Sequence, residues 1–207
     1  MFLLYFFASI NIMQLKGFFM AELNYRFKQI KNMIPEDVNS VLDVGCGRKT
    51  IKPFFKSYIG LDIKNAEMIQ DLNISQKISL KDKSVDIVIL SQILEHLTDP
   101  KELINESKRI SKKYILVGLP SEFTIDNRIR FLFNIRGLGF EPYGHKHSFN
   151  PDTAEKFMKQ FFGKWEKKEY IFAVKGGRLL PQSFRQFLAN VYPNWFAKEI
   201  YYLIKVS

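Results

Sequence analysis

The chain has 207 residues, 46% of them hydrophobic and 25% charged, a composition typical of globular proteins that excludes a disordered or membrane-spanning chain. Its length suits one hydrophobic core and therefore one domain. Its single cysteine, Cys46, excludes an internal disulfide and a multi-cysteine zinc site, and it fits a reducing compartment. The net charge of +10 is compatible with binding to nucleic acid, an anionic membrane or an acidic substrate. A lysine-rich, solvated surface explains it more simply, because no dense basic block accompanies the excess.

The first 13 residues are strongly apolar, but polar side chains follow at Gln14 and Lys16. This run is too short to span a bilayer, and it lacks the basic start and cleavage site of a secretory signal. It is an interfacial anchor, an additional packed helix, or the result of a start codon assigned too early. We favour the third interpretation because Met20 directly precedes a predicted helix. Residues 1–19 are then an extension, and residues 20–207 form a single domain.

The first part of the chain predicts a helix followed by three short strands. Apolar residues recur at helical spacing from Leu23 to Ile34, and Pro35 ends the helix. Residues 41–44 form a buried strand that leads into a glycine turn. A short helix over 50–57, a strand over 58–62 and a brief strand over 68–72 follow.

The second part predicts a central strand over 85–90 and a helix with Asp99 as N-cap and Pro100 as its first residue. A strand over 114–119 comes next. The irregular segment 121–149 is a predicted substrate lid, because long connections after sheet strands often cover sites. A helix capped at Asn150 follows, and a helical stretch over 183–191 separates two last strands, over 169–175 and 199–206.

The alternation of strands and helices over residues 40–120 predicts an α/β fold with right-handed crossovers and a parallel sheet. Ligands of such sheets bind at the carboxyl ends of the strands. Asp43, Gly45, Asp62, Asp71 and Ser91 all fall at those ends, so we expect a binding site there.

The glycine turn predicts a nucleotide-like cofactor and restricts its charge. Gly45 and Gly47 allow the backbone to curl and to approach a ligand. Asp62 follows Asp43 by 19 residues, which is close to the spacing at which an acid on the second strand reaches ribose hydroxyls. A carboxylate at Asp43 would repel a pyrophosphate, but it suits a ligand that carries an ammonium and a sulfonium.

Four sequence blocks together carry a resemblance to a known family: VLDVGCG at 41–47, YIGLDI at 58–63, QDLN at 70–73 and SVDIVILSQILEHLTDP at 84–100. With these blocks the chain resembles the class I S-adenosylmethionine-dependent methyltransferases, in particular the broad group often called type 11. The resemblance implies a Rossmann-like, doubly wound, mostly parallel seven-stranded sheet with helices on both faces, and S-adenosylmethionine as cofactor. The cofactor-binding residues that it implies are Asp43, Gly45, Cys46, Gly47, Asp62, Ile63, Asp71, Leu72, Ser91 and Gln92.

In this resemblance Asp43 organises the loop at the aminoacyl end, Asp62 accepts the ribose hydroxyls and Asp71 lies near the adenine amino group. Each acid also has a structural alternative, since Asp43 could cap the turn, Asp62 could end a strand in solvent and Asp71 could belong to a turn before Asn73. One departure concerns Lys49, which stands where the family commonly has a third glycine.

Methyl transfer from a sulfonium relies mainly on alignment, so a base is needed only if the acceptor must lose a proton. The candidates are Glu95, His96, His145 and His147, and we select His96 and His145 as catalytic residues. A structural hydrogen bond is the alternative for His96, and a lid contact for one of the other histidines. The spacing of these residues predicts no metal site.

The sequence therefore predicts methyl transfer to a small molecule, such as a sugar or cell-envelope precursor or a lipid-like quinone. An RNA methyltransferase and a non-catalytic methyltransferase-like binding domain remain as alternatives. We expect a cytoplasmic protein that contacts a membrane at most peripherally, and nucleic acid as a partner is not favoured.

Overall fold

The computed structural model describes residues 26–133, 144–172 and 181–206. The predicted extension at residues 1–19 and residues 134–143 of the predicted lid lie outside them. The helices are α1 (26–33), α2 (Lys101–Ile110), α3 (Ile125–Leu132), α4 (Pro151–Phe162), α5 (Gln182–Val191) and α6 (Pro193–Phe196). The strands are β1 (Ser40–Val44), β2 (Ser57–Asp62), β3 (Met68–Ile69), β4 (Val85–Ser91), β5 (Ser111–Pro120), β6 (Lys167–Ile171) and β7 (Glu199–Lys205).

These strands form one seven-stranded sheet in the order β3-β2-β1-β4-β5-β7-β6. The strands from β1 to β5 pair in parallel, whereas β7 lies antiparallel between β5 and β6. The order reverses between β1 and β4, which is the place where α/β sheets bind ligands. The predicted mostly parallel, seven-stranded sheet is confirmed.

Both faces of the sheet are covered, because successive side chains of a strand point to opposite sides. On β1, Val41 belongs to a core cluster with Ile30 and Met33 of α1, while Leu42 belongs to the core cluster on the other face, which includes residues of α2 and α4. The central strand β4 is buried at every residue from Val85 to Leu90. Helices on both faces agree with the expectation from the sequence.

Close packing at one glycine sets the position of β7. Gly118 of β5 pairs with Tyr201 of β7, and a Cβ at residue 118 would lie 2.3 Å from the Tyr201 ring. The absence of a side chain at residue 118 therefore leaves the space that the fully buried Tyr201 ring occupies. No helix in the described part of the chain is long and apolar enough to cross a membrane.

Some predicted element boundaries were wrong. The predicted helix over 50–57 is only a 3-10 turn at Lys52–Phe54, because Phe55 adopts the extended conformation that leads into β2. Helix α2 begins at Lys101, one residue later than predicted, although the Asp99 carboxylate still accepts the Lys101 N–H at 2.9 Å. Strand β3 ends at Ile69 because the backbone turns at Asp71, whose carbonyl accepts the N–H of Ile74 at 3.1 Å.

Candidate active site

The glycine turn after β1 is fixed to the neighbouring strand by its backbone. The N–H groups of Gly45 and Cys46 both donate to the carbonyl of Leu61 on β2, at 2.8 and 3.2 Å. Gly45 has φ +72° and Gly47 has φ +47°, the left-handed region that glycine enters without strain. The turn is therefore held open at the carboxyl edge of the sheet, as its sequence predicted.

Lys49 also adopts a left-handed conformation, with φ +53°. A third glycine at this position could adopt the same conformation without strain. Such a conformation costs a non-glycine residue about 1–2 kcal/mol. The Lys49 ammonium lies 3.0 Å from the Glu67 carboxylate, which also contacts Lys52 at 2.8 Å. Hydrogen bonds from Lys52 and Lys49 lower the pKa of Glu67 to about 2. The contact with Glu67 is one that a glycine at this position could not make.

The Asp62 carboxylate closes the turn from the side of β2. Its Oδ2 accepts the N–H of Gly47 at 2.8 Å, and its Oδ1 accepts the N–H of Ile63 at 2.7 Å. Each oxygen keeps a second lone pair that can accept a ligand hydroxyl. Asp62 is therefore more than a solvated end of a strand.

The Asp43 carboxylate is buried beneath the turn, with 6% of its surface exposed. Tyr58 donates its hydroxyl to Asp43 Oδ2 at 2.7 Å. Burial raises the pKa of Asp43 to about 7, the Tyr58 hydrogen bond opposes this rise and the nearby Asp62 adds to it. A carboxylate in this setting gains from any cation bound beside it.

Two pockets open on either side of Gly45. The smaller one encloses about 340 Å³ including its open mouth, and the larger one about 760 Å³. Predicted residues that line the smaller pocket are Asp62, Ile63, Asp71, Leu72 and His96. Predicted residues that line the larger pocket are Asp43, Cys46, Ser91 and Gln92. Gly47 lines neither pocket, and it contributes through its N–H to Asp62.

Asp71 lies both at a pocket and in a turn. It lines the smaller pocket, and its Oδ1 also accepts the N–H of Asn73 at 2.9 Å, as a turn residue would. Gln92 is also unusual, since its backbone has φ +57° and its buried Nε2 has no hydrogen-bond partner within residues 26–133, 144–172 and 181–206. Strain at a binding edge often marks a functional position.

Sequence reasoning missed a polar network behind the larger pocket. Arg26 of α1 donates to Ser91 Oγ at 3.0 Å and to the Tyr201 hydroxyl at 3.0 Å, and it pairs with Glu199 at 2.9 Å. Tyr201 and Ser91 also contact each other at 2.8 Å. The predicted ligand residue Ser91 is therefore oriented by side chains from α1 and β7. In the sequence, the only local indication of this role is that Arg26 lies next to the apolar stripe of its helix.

A second polar cluster, which we call the acceptor-side cluster, comprises Glu95, His96, Glu122 and His145. The Glu122 carboxylate contacts His145 Nδ1, and the rings of His96 and His145 lie 4.7 Å apart, edge to face. Glu95 is fully buried, and burial raises its pKa to about 8. The structure thus brings the two predicted catalytic histidines together and adds two carboxylates.

Backbone contacts assemble this cluster from distant parts of the chain. The Glu95 carbonyl accepts the N–H of Lys146 at 2.7 Å and that of His147 at 3.2 Å. Glu122 donates its N–H to the Phe149 carbonyl at 3.0 Å, so the two ends of the predicted lid lie together. The His147 ring contacts the Thr98 carbonyl instead and stays outside the cluster.

Comparison with known proteins agrees with this geometry. A family model described as a methyltransferase domain matches residues 15–161, more than half of the chain. The chain belongs to the methyltransferase-domain family. The structure of this methyltransferase is similar to that of an S-adenosylmethionine-dependent methyltransferase from Archaeoglobus fulgidus, with TM-score 0.53 and 20% identity over 91% of this chain and 99% of that one.

Two further solved structures are similar to this methyltransferase. An S-adenosylmethionine-dependent methyltransferase from Mesorhizobium loti gives a TM-score of 0.55 at 14% identity, over 86% of this chain and 96% of that one. One from Aquifex aeolicus gives 0.54 at 14% identity, over 87% of this chain and 88% of that one. At these identities the likeness concerns the fold, which is that of the class I methyltransferases. No curated protein sequence matches the chain.

The residues at the carboxyl edge fit S-adenosylmethionine, the methyl donor of this fold family. A donor with an adenosine end and an amino-acid end suits two pockets that share Gly45. Vicinal ribose hydroxyls suit the Asp62 carboxylate, whose oxygens keep acceptor capacity. A sulfonium and an ammonium suit the buried carboxylate of Asp43, which has no cationic hydrogen-bond partner among the described residues.

Proposed function

We propose that this methyltransferase transfers the methyl group of S-adenosylmethionine to a hydroxyl oxygen of a small-molecule acceptor. The observation that carries the proposal is the acceptor-side cluster, which reaches the smaller pocket through His96. A hydroxyl is a weak nucleophile until it loses its proton. The cluster supplies imidazoles and carboxylates beside the reaction site, as this chemistry requires.

S-adenosylmethionine, when bound, supplies a methyl group that is already activated on a positively charged sulfur. The chain contributes binding and orientation. Asp62 accepts the ribose hydroxyls, Asp43 balances positive charge, and Asp71 lies at the adenine end. Ser91 and Gln92 line the amino-acid end together with Cys46 and Gly45, while Ile63 and Leu72 line the adenosine side. Alignment by this rigid edge provides much of the acceleration.

The acceptor hydroxyl loses its proton at the acceptor-side cluster. Glu122 contacts Nδ1 of His145 and so sets the tautomer and the orientation of that ring. The His145 side chain is 12% exposed and that of Glu122 is 6% exposed, so this pair is largely shielded from water. Shielding strengthens the electrostatic effect of the pair on a bound hydroxyl.

The surface beside this cluster favours an acceptor with an apolar part. The first half of the predicted lid exposes several large apolar side chains, and the fractions exposed are 46% for Ile129, 73% for Phe131, 78% for Leu132 and 73% for Phe133. A lipid-like quinone or a lipid-linked sugar precursor combines a hydroxyl with such an apolar part. This surface also supports peripheral contact with a membrane.

A transfer assay tests the proposal. The protein is incubated with methyl-labelled S-adenosylmethionine and separate pools of hydroxylated quinones, sugar precursors and total RNA. We expect label in a small-molecule pool, and much less label at the same cofactor concentration when Asp62→Ala replaces the wild type. Label in RNA alone, with transfer that falls steeply as salt rises, would establish the RNA alternative. Cofactor binding without transfer to any pool would instead indicate a binding domain.

A further inference from the structure

Three side chains of the acceptor-side cluster have the arrangement of a metal site. One ligand atom from each of Glu95, His96 and His145 can be chosen so that all three lie within 4.8 Å of one another. Metal–nitrogen and metal–oxygen bonds of about 2.0–2.2 Å place neighbouring ligand atoms about 3–4 Å apart. Shifts of under about 1 Å per side chain therefore bring these three atoms around one ion.

The Glu95 carboxylate provides a second, independent observation. Glu95 is 0% exposed, and neither of its carboxylate oxygens has a hydrogen-bond partner in the part of the chain that the structure describes. A buried, ionised carboxylate without partners is strongly unfavourable unless a cation or several donors compensate it, and otherwise it takes up a proton. Its backbone carbonyl already holds Lys146 and His147, so its position within the cluster is fixed by the fold.

We propose that Glu95, His96 and His145 bind one divalent transition-metal ion, to which the acceptor hydroxyl coordinates. This inference rests on the proposed function, since it states how the acceptor-side cluster activates the hydroxyl. Two imidazoles and one carboxylate are the ligand set of many catalytic zinc sites, and such sites keep a position open for substrate. The nitrogen ligands favour a transition metal over Mg²⁺ or Ca²⁺.

Glu122 orients one of the proposed metal ligands, His145. It pairs with Nδ1 of His145, so Nε2 is the nitrogen that faces the ion, and carboxylate–histidine pairs of this kind orient metal ligands. The nearby charges also suit a dication. Glu122 and Glu199 act on Glu95 with negative charge. Among the described residues, Arg26 is the opposing cation of its principal electrostatic neighbours, and it is already paired with Glu199.

In the proposed step the ion lowers the pKa of the coordinated acceptor hydroxyl, as metals do for bound water. The hydroxyl gives up its proton at the acceptor-side cluster, from which the proton passes to solvent. The acceptor oxygen then forms a bond to the methyl carbon of S-adenosylmethionine, and the electron pair of the broken carbon–sulfur bond stays on sulfur. No electrons are exchanged with the ion, so it needs no redox partner.

Binding of Co²⁺ alone tests the proposal without an acceptor. The metal-stripped protein is titrated with Co²⁺ by calorimetry, and the visible absorption of the bound ion is recorded. We expect one ion per chain. Glu95→Gln should weaken binding more than about 100-fold. Glu122→Gln should weaken it about tenfold to 100-fold, as expected for a residue that hydrogen-bonds to a metal ligand. His147→Ala is the matched control and should bind as the wild type does.

Thermal unfolding with and without Zn²⁺ provides a second measurement, and it separates loss of the site from loss of the fold. Zn²⁺ should raise the melting temperature of the wild type and of His147→Ala but not of His145→Ala. Equal Co²⁺ affinity for the wild type and folded Glu95→Gln would overturn the proposal, as would the absence of one-to-one binding. Methyl transfer that persists in metal-stripped protein would also overturn it while leaving the proposed function intact.

Discussion

The cofactor side and the acceptor side of this site are built in different ways. On the cofactor side, two adjacent parallel strands present a turn, and backbone groups of Gly45, Cys46 and Gly47 make the main contacts. On the acceptor side, side chains from three separate segments meet around His145. The first arrangement follows from a short contiguous sequence, whereas the second exists only when the chain is folded. The two sides should therefore respond separately to substitution.

Each side also contains one buried carboxylate, and the two differ in their partners. Asp43 accepts a hydrogen bond from Tyr58, while the oxygens of Glu95 have no such donor among the described residues. Burial raises both pKa values, to about 7 for Asp43 and about 8 for Glu95. On the proposed assignments, each carboxylate gains its charge compensation from a bound cation, a sulfonium ligand in one case and a metal ion in the other.

The largest expected effect separates the acceptor side from the cofactor side. His145→Ala should lower kcat by about 100-fold to 10,000-fold, the range for loss of acid–base assistance to a reacting group. Its cofactor dissociation constant should stay within about twofold of the wild type, because His145 lines neither cofactor pocket. Calorimetry and single-turnover transfer measure the two quantities. An equal loss in both would show that the two sides are coupled.

The reverse experiment changes the cofactor side alone. Asp62→Ala should weaken S-adenosylmethionine binding about 100-fold, because hydrogen bonds to a charged group contribute about 1.5–3 kcal/mol each. Binding of Co²⁺ should be unchanged. Asp37→Asn is the matched control, since Asp37 is an exposed aspartate whose only carboxylate partner among the described residues is Lys113. Unaltered cofactor binding by Asp62→Ala would refute this assignment.

A smaller, graded effect follows from Asp43. A bound cation favours the ionised carboxylate, so affinity for S-adenosylmethionine should be constant above a pH of about 7, the pKa of Asp43. Below it, protonation competes with the cofactor, and affinity should fall about tenfold for each pH unit. Asp43→Asn should bind weakly at every pH. A wild-type profile that stays flat from pH 5 to 8 would contradict the role given to Asp43.

The smallest expected effect concerns the strained turn. Lys49→Gly should relieve the left-handed conformation, worth about 1–2 kcal/mol, but it also loses the ion pair with Glu67, which at a partly exposed site contributes about 0–1 kcal/mol. Glycine also costs about 0.5–1 kcal/mol more in chain entropy on folding. We therefore expect a net stabilisation of at most about 1 kcal/mol in urea unfolding, with unchanged cofactor affinity. A stability loss of this variant would show that the contacts of Lys49 outweigh its strain.

The sequence was most informative where function depends on the backbone. The sheet follows from alternating apolar runs, and the turn at Gly45 follows from glycines placed at the end of a strand. The left-handed backbone of Lys49 could not be predicted, because the ion pair that partly offsets its strain is formed with Glu67, which lies on another segment. The acceptor-side cluster could not be predicted for the same reason. Glu95 and His145 are 50 residues apart in the sequence, and backbone hydrogen bonds from residues 146 and 147 to the Glu95 carbonyl bring them together.

Arg26 and Tyr201 show a related limit of sequence reasoning. Neither belongs to a local motif, and their contact depends on β7 entering the sheet between β5 and β6. A single sequence gives the strands, but the packing that selects this order involves buried side chains on both faces. Gly118 is a position where the absence of a side chain is consistent with this close approach.

The insertion of β7 between β5 and β6 also has a consequence for the timing of synthesis. Tyr201 and Glu199, which position Arg26 and through it Ser91, are translated more than 100 residues after Ser91. During translation the strands from β1 to β5 emerge from the ribosome first, with the glycine turn already encoded. The larger pocket is completed only when the last strand has emerged and paired, so a nascent chain should acquire full cofactor affinity late and abruptly.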